Sequence, residues 1–179
     1  MDRAYFERYC QGAPYRETYL LHSGIEHCVH IVEHLGLNVR SVMVLGAATG
    51  EVLRHFERAW GILPLGCEIS RWAHARIPTR YRRRIACQDM RRYLPRRNGG
   101  GTRVDLVFSN SLVYLPEKDI PDVLTACREI GGYFHFLSST TEDYEANDAY
   151  RVTLRPRRWW RQRFIDAGFA PTRSPYLYR

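Results

Sequence analysis

The chain has 179 residues, 45% of them hydrophobic, and a net charge of +8, which fits one globular domain and excludes a disordered protein. No apolar stretch reaches the roughly 20 residues of a membrane-spanning helix, and the N-terminus lacks a signal-peptide pattern, so we expect a cytoplasmic protein without membrane contact. We expect a single domain, with a helical cap segment over 1–38 and a sheet core over 39–179. The cysteines form no CxxC pair and are expected to be small buried side chains: Cys10, Cys28, Cys67, Cys87 and Cys127.

Before the first strand, the stretch from 20 to 37 has the pattern of an amphipathic helix. His27, His30 and His34 follow one another at intervals of three and four residues and so lie along one side of that helix. Two histidines one turn apart can share a metal ion, but no third ligand of suitable geometry is evident. A polar helix flank is the simpler interpretation, and no metal is expected.

Short apolar runs of strand length then alternate with helical patterns. The predicted strands are 41–45, 62–68, 84–89, 104–110 and 132–139. The predicted helices between and after them are 51–60, 71–77, 119–130 and 157–167. Four of the strands are nearly continuous in apolar character, as parallel strands covered on both faces are. The alternation predicts an α/β fold, a Rossmann-like open and mostly parallel sheet with helices on both faces.

The stretch VLGAATG, at 44–50, joins the first strand to the first of these helices. Gly46 and Gly50 have no Cβ, and Ala47 and Ala48 add only methyl groups, so the backbone can turn tightly and approach a ligand closely. Open parallel sheets bind ligands at the carboxyl ends of their strands, which is where this loop lies. A tight turn without a ligand is the alternative interpretation.

Glu68 ends the second predicted strand, where a carboxylate can accept hydrogen bonds from both hydroxyls of an adenosine ribose. The loop lacks the GxGxxG spacing that seats a pyrophosphate, and Glu51 at the start of the next helix would repel one. These features favour a nucleoside with a neutral or cationic tail over a nicotinamide dinucleotide.

Motifs along about 42–169 resemble, in order, those of the class I S-adenosylmethionine-dependent methyltransferases. They are VLGAATG, GCEISRWAHARI, ACQDMRRYLP, VDLVFSNSLVYLPEKDIPDVLTACREIGG and YRVTLRPRRWWRQRFIDAGF. The resemblance implies the fold of that class with a short antiparallel edge at the C-terminus. It implies S-adenosylmethionine as cofactor, with S-adenosylhomocysteine as its product. The cofactor-binding residues would be Gly46, Ala47, Ala48, Gly50, Glu68, Ile69, Asp89, Met90, Asn110 and Tyr19.

The resemblance also implies roles for these residues. Glu68 would bind the ribose and Ile69 would pack on the adenine. Asp89 would accept a hydrogen bond from the adenine amine, with Met90 against the ring, and Asn110 would lie near the methionine end of the cofactor.

Two residues depart from the pattern of the family. Val44 stands where most relatives have an acidic residue that helps to hold the amine of the methionine, and Ala48 replaces a glycine. The methyl group of Ala48 is tolerated if the φ angle is negative and strained if φ must be positive.

Methyl transfer from a sulfonium is an in-line displacement that asks the protein to align the acceptor and exclude water. Tyr15, Tyr114 and His135 are the candidate catalytic residues on the acceptor side. His135 alternates with Phe134 and Phe136 in a predicted strand, so a buried packing role is the alternative for it. The expected acceptor is a small organic molecule, and the expected assembly is a monomer or homodimer.

The positive charge is also compatible with a nucleic acid as the acceptor. Arginines provide almost all of it and are scattered over 80–84, 91–97 and 155–163. They fit a solvated surface, or the phosphate contacts of a nucleic-acid (RNA) methyltransferase. A non-catalytic interaction module with a methyltransferase fold is the further alternative, suggested by Val44.

Overall fold

The structure is a computed structural model that describes residues 3–8, 24–137, 140–141 and 150–179. Within these ranges six strands form a sheet of order β3-β2-β1-β4-β5-β6. The strands are β1 (Val42–Leu45), β2 (Leu65–Glu68), β3 (Ile85–Cys87), β4 (Val104–Phe108), β5 (Gly131–His135) and β6 (Leu177–Tyr178). Neighbouring strands are parallel except β5 and β6, which are antiparallel. The predicted mostly parallel sheet with a short antiparallel C-terminal edge is confirmed.

Helices precede the sheet and connect its strands. They are α1 (Arg3–Arg8), α2 (Ile25–His34), α3 (Glu51–Trp60), α4 (Arg71–Arg76), α5 (Thr79–Arg82), α6 (Met90–Gly99), α7 (Ile120–Ile130) and α8 (Arg157–Asp166). Two 3-10 helices, Leu112–Tyr114 and Glu117–Asp119, lie between β4 and α7. In the described part of the chain, no helix has the length and apolar character to cross a membrane.

The two faces of the sheet carry separate apolar cores. Met43 and Leu45 of β1 face α6, α7 and α8, whereas Val42 and Val44 face α2 and α3. This alternation along a buried strand follows from the two-residue period of β structure. The helices on both faces that the sequence predicts are therefore confirmed.

The observed elements differ from the predicted ones in several places. Helix α6 is not predicted from the sequence, because its only interior proline, Pro95, and its run of arginines obscure the apolar period of Met90, Tyr93 and Leu94. The last parallel strand is shorter than predicted and ends at His135. Three cysteines are buried as predicted, and the prediction is wrong for the exposed Cys87.

Candidate functional site

The order of the strands reverses between β1 and β4. From β1 the chain proceeds outward to β2 and β3, and from β4 it proceeds in the opposite direction to β5 and β6. The loops that follow β1 and β4 therefore leave the sheet side by side at its carboxyl edge, where open α/β sheets bind ligands. The Ser109 hydroxyl, just after β4, donates to the carbonyl of Leu45 at 2.9 Å and fixes the two strand ends to each other.

The bend from Gly46 to Gly50 uses backbone conformations that favour glycine. Gly46 has a φ of 85° and Gly50, which precedes α3, has a φ of 96°. Ala48 lies between them with a φ of 48° and is, among the described residues, the non-glycine residue with a positive φ. The methyl group of Ala48 therefore occupies the strained arrangement, where a glycine would be unstrained.

The glycines of the bend are also required by neighbouring side chains of the protein. A Cβ at Gly46 would lie 2.1 Å from Oγ of Ser111, which follows β4. A Cβ at Gly50 would lie 3.3 Å from side-chain atoms of Ile77 and Pro78. The interpretation as a tight turn thus accounts for both glycines, and close approach of a ligand to them stays a prediction.

Glu68 lies at the end of β2 directly beside the bend. Its carboxylate accepts hydrogen bonds from the backbone N–H of Ala48 at 2.8 Å and from that of Ser70 at 2.7 Å. The residue is only 4% exposed. Burial raises the pKa of the Glu68 carboxyl, and the hydrogen bonds from the amides of Ser70, Ala48 and Ile69 oppose that rise. A carboxylate has about four lone-pair positions, so Glu68 retains capacity for a further donor.

The residues predicted to surround an adenine follow β2 and β3. Ile69 is 54% exposed, so its apolar side chain is accessible to a ligand at this edge. Asp89 caps α6 by accepting from the N–H of Arg91 at 2.8 Å, and it pairs with the Arg91 guanidinium. Hydrogen bonding to Arg91 is the largest cause that lowers the pKa of Asp89. Met90 is 9% exposed and packs into the core below.

Asn110 and Tyr114 occupy the loop after β4. The side-chain oxygen of Asn110 accepts from the N–H of Leu137 at 3.1 Å, so this residue links the ends of β4 and β5. The hydroxyl of Tyr114 lies 2.8 Å from that of Tyr5. Both residues lie at the carboxyl edge, and their roles there stay predictions.

Helix α1 lies within the predicted cap segment over 1–38 and covers the bend, a contact that the sequence does not predict because six residues are too few to show a helical period. Phe6 and Tyr5 form a separate apolar cluster with Ala48 and Ala73, and Trp72 packs against it. The ring of Phe6 stacks on Trp72 with centroids 5.2 Å apart and planes at 19°. The surface of the bend that faces away from the sheet is thus occupied by side chains of the protein.

His135 lies inside the core rather than at an open surface. It is 0% exposed, and its ring stacks on Phe108 with the planes at 4°. Its Nε2 is 3.4 Å from Nδ1 of His27 on α2, and its Nδ1 has no hydrogen-bond partner in the described residues. Desolvation and the nearby His27 lower the pKa of His135 to about 3, so the ring is neutral at physiological pH. This placement supports the packing role, and the catalytic role stays a prediction.

The remaining predicted residues are placed as follows. Tyr15 and Tyr19 lie outside the described residues. Val44 is fully buried in β1, and Ala47 is fully buried in the bend. In the described ranges, no group of three or more potential ligands lies where it could hold a metal ion.

A cleft of about 480 Å³ lies away from the carboxyl edge. It is lined by Leu35, Leu37, Tyr133, Pro171, Thr172, Arg173 and Arg179. Among the described residues, none predicted to bind the cofactor or the acceptor lines this cleft, so its size does not bear on the site at the bend.

Solved structures of other proteins superpose on this fold. A SAM-dependent methyltransferase from Archaeoglobus fulgidus superposes with a TM-score of 0.68 at 15% sequence identity, over 93% of this chain and 74% of its own. The chain has the class I methyltransferase fold. DesVI from Streptomyces venezuelae is similar with a TM-score of 0.66 at 16% identity, over 86% of this chain and 88% of its own.

A third similar structure carries the product of the cofactor. Magnesium protoporphyrin IX methyltransferase (ChlM) from Synechocystis PCC 6803, with bound SAH, superposes with a TM-score of 0.62 at 15% identity, over 86% of this chain and 78% of its own. No family model matches the sequence, and no curated protein is similar to it. At these identities the likeness establishes the methyltransferase fold.

Proposed function

We propose that the protein transfers the methyl group of S-adenosylmethionine to a small organic acceptor by in-line displacement. The observation that carries this proposal is the hydrogen bond between the Glu68 carboxylate and the N–H of Ala48. The ribose and the amino-acid tail of the cofactor are neighbouring parts of one molecule, joined through the sulfur. A site for both therefore needs the ribose-binding carboxylate immediately beside the bend that supports the tail.

The described residues fit such a ligand at several positions. Glu68 has lone pairs left for ribose hydroxyls, and the exposed Ile69 offers an apolar face to an adenine. Asp89 remains partly accessible at the end of β3, although Arg91 already uses part of its hydrogen-bonding capacity.

Val44 stands where the resemblance leads us to expect a carboxylate for the amine of the methionine. Val44 is fully buried and offers no charge to the amine of the methionine. The side chain of Glu51 turns back toward the bend and accepts a hydrogen bond from the Thr49 hydroxyl. We propose that Glu51 and carbonyl oxygens of the bend hold the amine instead.

The chemistry asks little more of the protein. When bound, the sulfonium supplies a methyl group that is already activated. The chain has to hold the acceptor atom in line at about 3–3.5 Å and keep water out. Tyr114 packs beside the bend, and we propose that it orients such an acceptor.

A non-catalytic interaction module is the second candidate function. The observation that favours it is the packing of Tyr5 and Phe6 on Ala48, because it leaves the bend covered by the protein itself. The two candidates differ in whether the chain binds the cofactor at all.

Calorimetric titration with S-adenosylmethionine and S-adenosylhomocysteine tests the proposal. We expect dissociation constants in the range of about 1–100 µM, equivalent to about 5–8 kcal/mol of binding free energy. If millimolar ligand produces neither binding heat nor a thermal shift, the result favours the interaction module.

The variant Glu68→Ala tests where the ribose binds. We expect the affinity for S-adenosylhomocysteine to fall by about 1.5–3 kcal/mol, the usual range for a lost hydrogen bond to a charged group. Glu129→Ala is the matched control, because it removes the same charge from an exposed position on α7. Circular dichroism of both variants checks that the fold is retained, since Glu68 also holds the amides of Ala48 and Ser70. An unchanged affinity would place the ribose elsewhere.

A further inference from the structure

We infer that α1 is an intramolecular occupant of the cofactor site, so that binding of S-adenosylmethionine requires α1 to leave the bend. This inference rests on the proposed function. It concerns how the same site is regulated, and the contacts of two aromatic residues of α1 carry it.

Phe6 covers the bend and the start of α4. It is 2% exposed and shares an apolar cluster with Ala48, Ala73 and Trp72. Its near-parallel stacking on Trp72, with centroids 5.2 Å apart, is the arrangement that a flat ring of a ligand would also adopt there. The side chain thus fills the space beside the residues that would hold a nucleoside.

Tyr5 extends the same cover across the reversal point of the sheet. Its hydroxyl lies 2.8 Å from that of Tyr114 in the loop after β4, and its ring meets that of Tyr150 edge-on at 5.1 Å. Together, Phe6 and Tyr5 connect the loop after β1 to the loop after β4. The side chains of α1 therefore span the two loops that leave the carboxyl edge side by side.

The residues below α1 are closed to a ligand in this arrangement. Ala48 is 6% exposed and Glu68 is 4% exposed. A ribose cannot reach the Glu68 carboxylate, nor a methionine tail the bend, while these residues stay covered. Only the molecules in which α1 is displaced can then bind the cofactor, and the apparent affinity falls in proportion to their fraction.

The buried residues of α1 pack apart from the cores on the faces of the sheet. They belong to a small cluster with Ala48 and Ala73. Displacing α1 breaks the contacts of that cluster and those of Tyr5 with Tyr114 and Tyr150, whereas the buried apolar side chains of the strands belong to the other two cores. Such a small and separate unit is the kind that opens locally.

The opposite arrangement is a cover that closes over bound cofactor. For such a cover, weakening the contacts of α1 lowers the affinity for the ligand, because the cover contributes contacts to it. For an occupant of the same space, weakening those contacts raises the affinity. Weakening the contacts of α1 separates the two.

The experiment compares binding of S-adenosylhomocysteine to the full chain and to its Phe6→Ala variant by calorimetry. We expect Phe6→Ala to bind about tenfold more tightly, because loss of the buried ring shifts α1 toward the displaced state. Phe6→Leu keeps most of the apolar bulk and should bind nearly as the natural chain does. Trp159→Ala, which truncates an aromatic side chain on α8 away from the bend, should leave the affinity unchanged.

Hydrogen exchange of the N-terminal peptide gives an independent readout. We expect the amides of 3–8 to exchange faster when S-adenosylhomocysteine is bound, because the ligand displaces the helix. Slower exchange in the complex, or an affinity of Phe6→Ala equal to or below that of the natural chain, would overturn the inference. Absence of binding to the natural chain and to every variant would instead remove the proposed function, and this inference with it.

Discussion

Ala48 holds a left-handed backbone conformation that its side chain disfavours. Its φ of 48° places the Cβ close to the following carbonyl, a clash that costs L-residues about 1–2 kcal/mol. Ala48→Gly removes that clash. Glycine also raises the conformational entropy of the unfolded chain, and this offsets part of the gain in stability. We expect the variant to raise the free energy of unfolding by about 0.5–1 kcal/mol, measured by urea denaturation.

The adjacent alanine is the control for this effect. Ala47 has no positive φ and is fully buried, so Ala47→Gly removes packing and gains nothing. We expect it to lower the free energy of unfolding by about 1–2 kcal/mol. Equal destabilisation by the two substitutions would show that Ala48 is not strained.

His135 makes stability depend on pH in the acid range. Its pKa is about 3 in the folded chain against 6.5 for an unperturbed histidine, so the unfolded state binds the proton more readily. Stability is therefore unaffected above pH 6.5 and falls as the pH is lowered from there, by about 1.4 kcal/mol per pH unit until about pH 3. At pH 5 the loss amounts to about 2 kcal/mol.

The variant His135→Phe tests this dependence, because it keeps a flat ring against Phe108 and removes the titrating group. We expect the fall in unfolding free energy between pH 7 and pH 5 to shrink by about 2 kcal/mol, as measured by urea denaturation at each pH. His34→Gln, at an exposed position of α2, should leave the fall unchanged. A pH profile identical to that of the natural chain would mean that His135 is accessible to protons.

At the scale of elements, the pairing of β1 with β2 depends on one glycine. Gly66 stands opposite Val44 in the parallel ladder, and a Cβ built on it would lie 1.9 Å from the Val44 carbonyl oxygen. Gly66→Ala forces the two strands apart, and we expect a loss of about 3 kcal/mol or more in urea denaturation. The carboxyl edge that carries Glu68 would move with β2.

Gly99→Ala is the matched substitution for this test. A Cβ at Gly99 has nothing within 4 Å, and the residue ends α6 without a positive φ. We expect a gain of about 0.5–1 kcal/mol, because alanine has the higher helix propensity and the smaller unfolded-state entropy. A large loss at Gly99, or none at Gly66, would contradict this account of the two sites.

Elements were predictable where the apolar period is strong, and α6 was missed because its period is obscured. Helix α3 begins and ends as predicted, because Val52, Leu53 and Phe56 repeat at helical spacing. Helix α6 depends instead on the Asp89 side chain, which accepts from the N–H of Arg91 and fixes the first turn. The resemblance assigned the Asp89 carboxylate to the adenine amine, and only the structure shows that it also caps α6.

At the scale of the whole molecule, carboxylates lie among the exposed arginines of the described helices on one face of the sheet. Exposed arginines occupy α6 and α8, and α7 packs between these helices with the exposed carboxylates of Asp122 and Glu129. This interruption favours a solvated surface over a groove that follows a phosphate backbone.

A binding series with RNA checks this interpretation. We expect complexes seen at about 50 mM salt to be lost by about 200 mM, the behaviour of contacts to phosphate alone, and we expect no transfer of labelled methyl groups to the RNA. Binding that persists at high salt, together with label in the RNA, would support the nucleic-acid alternative instead.

The sequence by itself determined the alternation of strands and helices, the two-faced sheet and the bend of small residues, because each follows from the period and conformational range of neighbouring residues. The tertiary structure decided what surrounds that bend. Ser111 fills the space above Gly46, and Tyr5 meets Tyr114, which is 109 positions further along the chain. Contacts between such distant residues depend on how the loops and α1 come together in space, and no local pattern encodes them.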